Sequence, residues 1–137
     1  MRCIWIRNDA EGKSYFTDLQ VPMEDAPTTT VAGSAPGSRS DWFPATSISV
    51  RDSAGGAVLD FHPAPRRQMA VVLKGALELE CSRGTKRRLE AGDALFADDL
   101  EGQGHITRFL DGAPLRYLMI QAPKAFDPAS WPKAPAR

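Results

Sequence analysis

Apolar and polar residues alternate in short stretches along most of this chain, and the alternation has period two. Leu77, Leu79 and Cys81 interleave with Glu78 and Glu80. His105, Thr107 and Phe109 interleave with Ile106, Arg108 and Leu110. Tyr15, Thr17, Leu19 and Val21 interleave with Phe16, Asp18 and Gln20. Period two sends successive side chains to opposite faces of a strand, and nowhere does the apolar spacing hold a helical period for three turns. Eleven glycines and eleven prolines punctuate the chain. Between them lie further strand-sized runs at residues 3–6, 48–50, 58–62, 68–73, 94–97 and 115–121. The pattern predicts an all-β chain of about ten short antiparallel strands, hence a β-sandwich or small barrel.

One register follows from turn chemistry. A three-residue loop, Ser82-Arg83-Gly84, puts Gly84 at the left-handed bulge position. It sets Glu80 opposite Lys86, Glu78 opposite Arg88 and Leu77 opposite Leu89. A two-residue loop would set Cys81 against Lys86 and Glu78 against Leu89. Cross-strand charge pairs gain roughly 0.2–1 kcal/mol each, so the first register is predicted. Residues 22–41 are rich in Pro, Thr, Ser, Gly and Ala and read as a loop within a domain. Residues 123–137 hold Phe126 and Trp131 among four prolines and read as a tail laid over the sheet, with no helix of any length.

A length of 137 residues fits one domain with one core. We divide it into an N-terminal hairpin over residues 2–21, a core over 45–121 and the Pro-rich tail. Seventeen basic residues balance seventeen acidic ones, so no basic excess points to nucleic acid. The apolar runs are too short for a membrane span or a signal-peptide core, and the expectation is a soluble, cytoplasmic protein. Cys3 and Cys81 match no ligand spacing and read as buried thiols. No nucleophile elbow or phosphate-binding glycine loop is present. Trp5 and Phe16 are expected to leave apolar surface on the N-terminal strands, which favours a homodimer.

The most specific signal is a set of gaps. Gly56 is followed after five residues by His62, after one more by Ala64, after three by Gln68 and after six by Gly75. Further on come Gly92-Asp93, then Asp98, then His105. This resembles the two motifs of the cupin superfamily, over residues 45–121. In the first, every gap matches, but Ala64 stands for a His and Gln68 for a Glu. In the second, Asp98 stands for a Pro, Leu100 for a Gly and Phe109 for the closing Asn, with about two extra residues before His105. With HPAPRRQ and GHITR, the chain looks like a group of small single-domain bacterial cupins with no assigned reaction.

The resemblance implies a double-stranded β-helix, or jelly roll, with a small-molecule pocket inside the barrel, and often a dimer. It also implies that His62, Gln68 and His105 line that pocket. In metal-binding relatives the matching positions hold one divalent ion, so Fe, Mn, Ni or Zn at His62, Gln68 and His105 is one alternative. A degenerate site of two imidazoles and an amide, without metal, is the other. Asp60, Asp98 and Asp99 are candidates to complete a two-His-one-carboxylate set. By strand parity, Asp60 should share a face with His62. Asp98 to Gly102 reads as an acidic loop tip near the mouth. Tyr117 is a candidate wall residue, and Arg66 or Arg108 a candidate cap for an anionic ligand. Prolines 63 and 65 end the strand at His62 and hold it at a set distance from Gln68. Three functions remain open: small-molecule binding, an enzyme (a metal-dependent dioxygenase or isomerase, or a metal-free isomerase), and a non-catalytic sensor or structural dimer.

Overall fold

The computed structural model describes residues 1–26, 36–110 and 112–136. Its strands are β1 (Arg2–Asn8), β2 (Ser14–Gln20), β3 (Glu24–Asp25), β4 (Ser38–Arg39), β5 (Ser47–Ser53) and β6 (Val58–His62). They continue as β7 (Gln68–Lys74), β8 (Ala76–Cys81), β9 (Lys86–Glu90), β10 (Ala94–Asp98), β11 (His105–Phe109) and β12 (Leu115–Gln121). Among the described residues the helical element is a single 3-10 turn, Pro128–Ser130, capped by Asp127. No helix is long and apolar enough to cross a membrane. The predicted loop over residues 22–41 contains the two-residue pair β3–β4, and its part at 27–35 lies outside the described residues.

Two sheets pack as a sandwich. One has six strands in the order β2-β1-β10-β7-β12-β5, the other four in the order β6-β11-β8-β9. Between them lies a core that includes Ile4, Ile6, Val72, Leu79, Leu89, Leu95 and Leu115. A second cluster covers the outer face of the larger sheet: Cys3, Trp5, Met69 and Phe96 under Phe126 and Trp131 of the tail. Strand β1 is therefore buried on both faces, which explains the unbroken apolar run Cys3–Ile6. The tail is pinned by its rings, Phe96 to Phe126 at 4.8 Å and Phe43 to Trp131 at 5.0 Å between centroids.

The β8–β9 hairpin takes the expected register, with Glu80 opposite Lys86 and Leu77 opposite Leu89. Gly84 sits at φ 82°, where a side chain would be strained. The expectation for Trp5 and Phe16 is corrected. Trp5 is buried, with Arg7 lying 3.8 Å from its ring centroid and Asp98 accepting from its indole N–H. Phe16 is half-buried against the core. Apolar exposure lies instead on β5 and β6, at Ile48, Val50, Val58 and Leu59, and at Trp42. The two thiols sit in different clusters and are unpaired.

The two open sides of the sandwich differ. On one side, Arg87 of β9 donates to both carboxylate oxygens of Asp18 of β2, the closest contact being 2.8 Å, and Arg2 of β1 donates to the Arg88 carbonyl. Between the edge strands β5 and β6 no such clasp exists among the described residues. A cavity enters there.

Candidate functional site

The cavity has a volume of about 230 Å³ and runs between the sheets. Exposed Arg51, Leu59 and Pro65 mark where it meets solvent, and buried Leu77, Leu79 and Leu95 line its depth. His62, Gln68, His105 and Tyr117 all line it. Arg66 and Arg108 do not. Arg66 is exposed. Arg108 projects from the other face of the four-stranded sheet, 2.8 Å from Glu80 and 3.2 Å from Glu78. The cation that lines the cavity is Arg51.

The two imidazoles come together through strand pairing. His62 of β6 lies directly opposite His105 of β11, and their ring centroids are 4.6 Å apart. The pairing then slips, since Thr107 opposes Leu59. Strand β6 thus carries one extra residue, a bulge that changes which side chains face inward. This corrects the parity expectation. Leu59 and His62 face the cavity, while Asp60 is exposed and its carboxylate accepts from the Phe61 amide.

The bulge also places the Asp60 carbonyl 2.7 Å from Nδ1 of His62. A carbonyl can only accept, so Nδ1 carries the proton and Nε2 of the neutral ring is left as a lone pair. Gly104 packs against the His62 backbone so closely that a Cβ there would overlap the His62 carbonyl. The tight fit holds the two histidine-bearing segments in contact.

His105 is held differently. Its Nδ1 lies 2.6 Å from Oδ2 of Asp99. Both groups are buried, His105 at 4% and Asp99 at 0% exposure. The other oxygen of Asp99 has no hydrogen-bond partner among the described residues, so His105 is the side-chain contact that compensates this carboxylate. The expected loop tip is accordingly corrected. Asp98 ends β10 and pairs with Arg67 at 2.9 Å, Asp99 is buried behind His105, and the exposed tip is Leu100–Gln103. The Asp99 carbonyl accepts from the Ala64 amide at 3.0 Å, which ties this segment to the one after His62.

Both rings therefore spend Nδ1 on the protein and turn Nε2 to the cavity. An imidazole fixed this way can accept a proton, donate one or ligate a metal. The donor set does not fit a two-His-one-carboxylate metal centre. Asp60 is outside, Asp98 is taken by Arg67, and Asp99 stands on the far side of His105. Two imidazoles and the neutral Gln68 amide remain. No group of three or more His, Cys, Asp or Glu side chains is placed to hold a metal among the described residues.

The sequence points to His62, Gln68, His105 and Tyr117. It offers Asp99 as a metal ligand or as part of a loop tip, and gives no sign of Arg51. The signal for Asp99 was a carboxylate six residues before His105. Arg51 gave none, because its neighbour across the sheet is Tyr117, far away in sequence. No family model matches the chain, and no curated protein matches it.

Proposed function

We propose that this chain is a single cupin-type domain, a double-stranded β-helix whose barrel binds a small organic molecule at the His62–His105 pair. The observation that carries this reading is the pair itself. Two imidazoles, each oriented through Nδ1 by a different backbone or carboxylate acceptor, present Nε2 to one mostly apolar cavity beside Gln68. Apolar walls with a few convergent polar groups are what small-molecule sites use to fix orientation. The cupin gap pattern from Gly56 to Gly75 supports the fold assignment. A homodimer belongs to the same proposal. Light scattering that returned the monomer mass of 14.9 kDa at micromolar concentration would remove it.

A second reading, metal-free proton transfer, is favoured by the Asp99–His105 contact. A buried carboxylate on Nδ1 fixes the tautomer and stabilises the imidazolium formed when Nε2 takes a proton, the arrangement general bases use. The test of binding is a small-molecule library screened by NMR on labelled protein. Ligands should shift the ring resonances of both His62 and His105, and His62→Ala and His105→Ala should each weaken them at least tenfold. Ligands that bind both variants as well as wild type would show that the cavity is not the site.

A further inference from the structure

We infer that the cavity takes an amphipathic carboxylate: its anionic head sits at Arg51 and Tyr117, its apolar body lies between the sheets, and its far end meets His62 and His105. This rests on the small-molecule reading above and adds a ligand class and an orientation to it.

Strand register separates two polar ends. On the inner face of the larger sheet, one row reads Val72–Tyr117–Arg51, the next Ala70–Met119–Ser49, and the last Gln68–Gln121–Ser47. On the facing sheet, His105 and His62 form one row, Thr107 and Leu79 a second, Phe109 and Leu77 a third. The Tyr117 ring stacks on Phe109 with centroids 6.4 Å apart, so the Arg51 row stands at the Phe109 end. The imidazoles and Gln68 stand at the other. Four residues of strand separate the ends, roughly 13 Å of backbone at 3.3 Å per residue. Ala70, Met119 and Leu79 line the stretch between.

Arg51 is available for a ligand. Its strand neighbour Asp52 faces the other way and pairs with Arg116 at 2.8 Å, and no carboxylate among the described residues pairs with Arg51. A guanidinium beside a phenol presents a fork and a hydroxyl to an oxyanion. Among the described residues Arg51 is the one arginine or lysine lining the cavity. One fixed positive charge matches a carboxylate monoanion. A phosphate dianion would carry a second charge with no second arginine or lysine on the cavity wall to meet it, among the described residues.

The experiment is calorimetric titration, with NMR, of the full chain with hexanoate, hexanamide and butyl phosphate. Wild type should bind hexanoate at least tenfold more tightly than hexanamide and more tightly than butyl phosphate. Arg51→Gln should abolish the preference for hexanoate over hexanamide. Arg51→Lys, which keeps the charge and loses the fork, should retain part of the preference. Equal affinity for hexanoate and hexanamide, or a preference that survives Arg51→Gln, overturns the inference and leaves the small-molecule reading standing. Tighter binding of butyl phosphate overturns the carboxylate assignment. If neither these probes nor any member of the small-molecule library binds the full chain, the small-molecule reading itself falls.

Discussion

Asp99 stands directly behind His105, Oδ2 to Nδ1 at 2.6 Å, with neither side chain open to solvent. His62, at the same cavity, leans on a backbone carbonyl and is half-buried. The two imidazoles look alike from the cavity but carry different loads. Removing His105 leaves a buried carboxylate without its side-chain donor, which costs about 3 kcal/mol. Removing His62 frees a carbonyl near solvent, about 1 kcal/mol. Urea denaturation of His105→Ala and His62→Ala should show that gap, and equal losses would mean that Asp99 finds another partner.

Gln68→Glu supplies the carboxylate that the donor set lacks. Titrations with Fe(II), Mn(II), Ni(II) and Zn(II) should show at least tenfold tighter binding in the variant than in wild type, about 1.4 kcal/mol. Adding His62→Ala to Gln68→Glu should remove the gain. If Gln68→Glu leaves affinity unchanged, residue 68 does not converge with the imidazoles.

Arg67 fastens the tail. Its Nε donates to Asp98, its Nη1 to the Pro123 carbonyl and its Nη2 to the Phe126 carbonyl, at 2.9, 2.9 and 2.8 Å. Three fixed directions need a planar fork, so Arg67→Lys should fail to substitute. Both Arg67→Ala and Arg67→Lys should speed proteolysis within residues 123–136 and red-shift tryptophan emission as Trp131 meets water. A tail that stays resistant in both variants would place its anchorage in the aromatic contacts alone.

Burial pushes the Cys3 thiol from 9.0 up to about 12. Native protein at pH 8 should leave Cys3 unlabelled by iodoacetamide until denaturant is added. The folded pKa is the higher one, so the unfolded chain loses this proton first as pH rises. Stability from Cys3 is complete below pH 9 and falls between pH 9 and 12, at up to about 1.4 kcal/mol per pH unit. Cys3→Ala should flatten that part of the pH profile relative to wild type. An unchanged slope would assign the alkaline loss to other groups.

Gly104→Ala forces a methyl into the His62 carbonyl at a φ of +76°. The variant should be destabilised by several kcal/mol, or should shift the His62 resonances if it folds. A variant with wild-type stability and spectra would mean that the β6–β11 contact can yield to a methyl group without cost.

The strands and the β8–β9 register were legible because period two and opposed charges are local signals. Leu77, Leu79 and Cys81 face inward while Glu78 and Glu80 meet Lys86 and Arg108 outside. The bulge at β6 was not legible. Nothing in Val58–His62 marks an extra residue, because the slip is defined by pairing with β11, more than forty residues later. One missed residue moved Asp60 to the outside and Leu59 to the inside. Arg51 and Asp99 were hidden for the same reason, since their meaning lies in cross-strand neighbours and in burial. Trp5 misled because the run Cys3–Ile6 does not name what covers its second face, and that cover, Phe126 and Trp131, lies more than a hundred residues away.

The N-terminal hairpin also sets a timetable. Strand β1 runs parallel to β10, Cys3 beside Ala94 through Arg7 beside Asp98, and lies between β10 and β2. On a ribosome, β10 emerges roughly ninety residues after β1, its parallel partner. At about 5–20 residues per second, the run Cys3–Ile6 waits several seconds for the edge it completes. During that interval β2 covers one edge of β1, while the edge that will meet β10 and the Trp5 ring are open to any passing strand or chaperone. The six-stranded sheet therefore closes late in synthesis, by capturing a hairpin that has been waiting beside it.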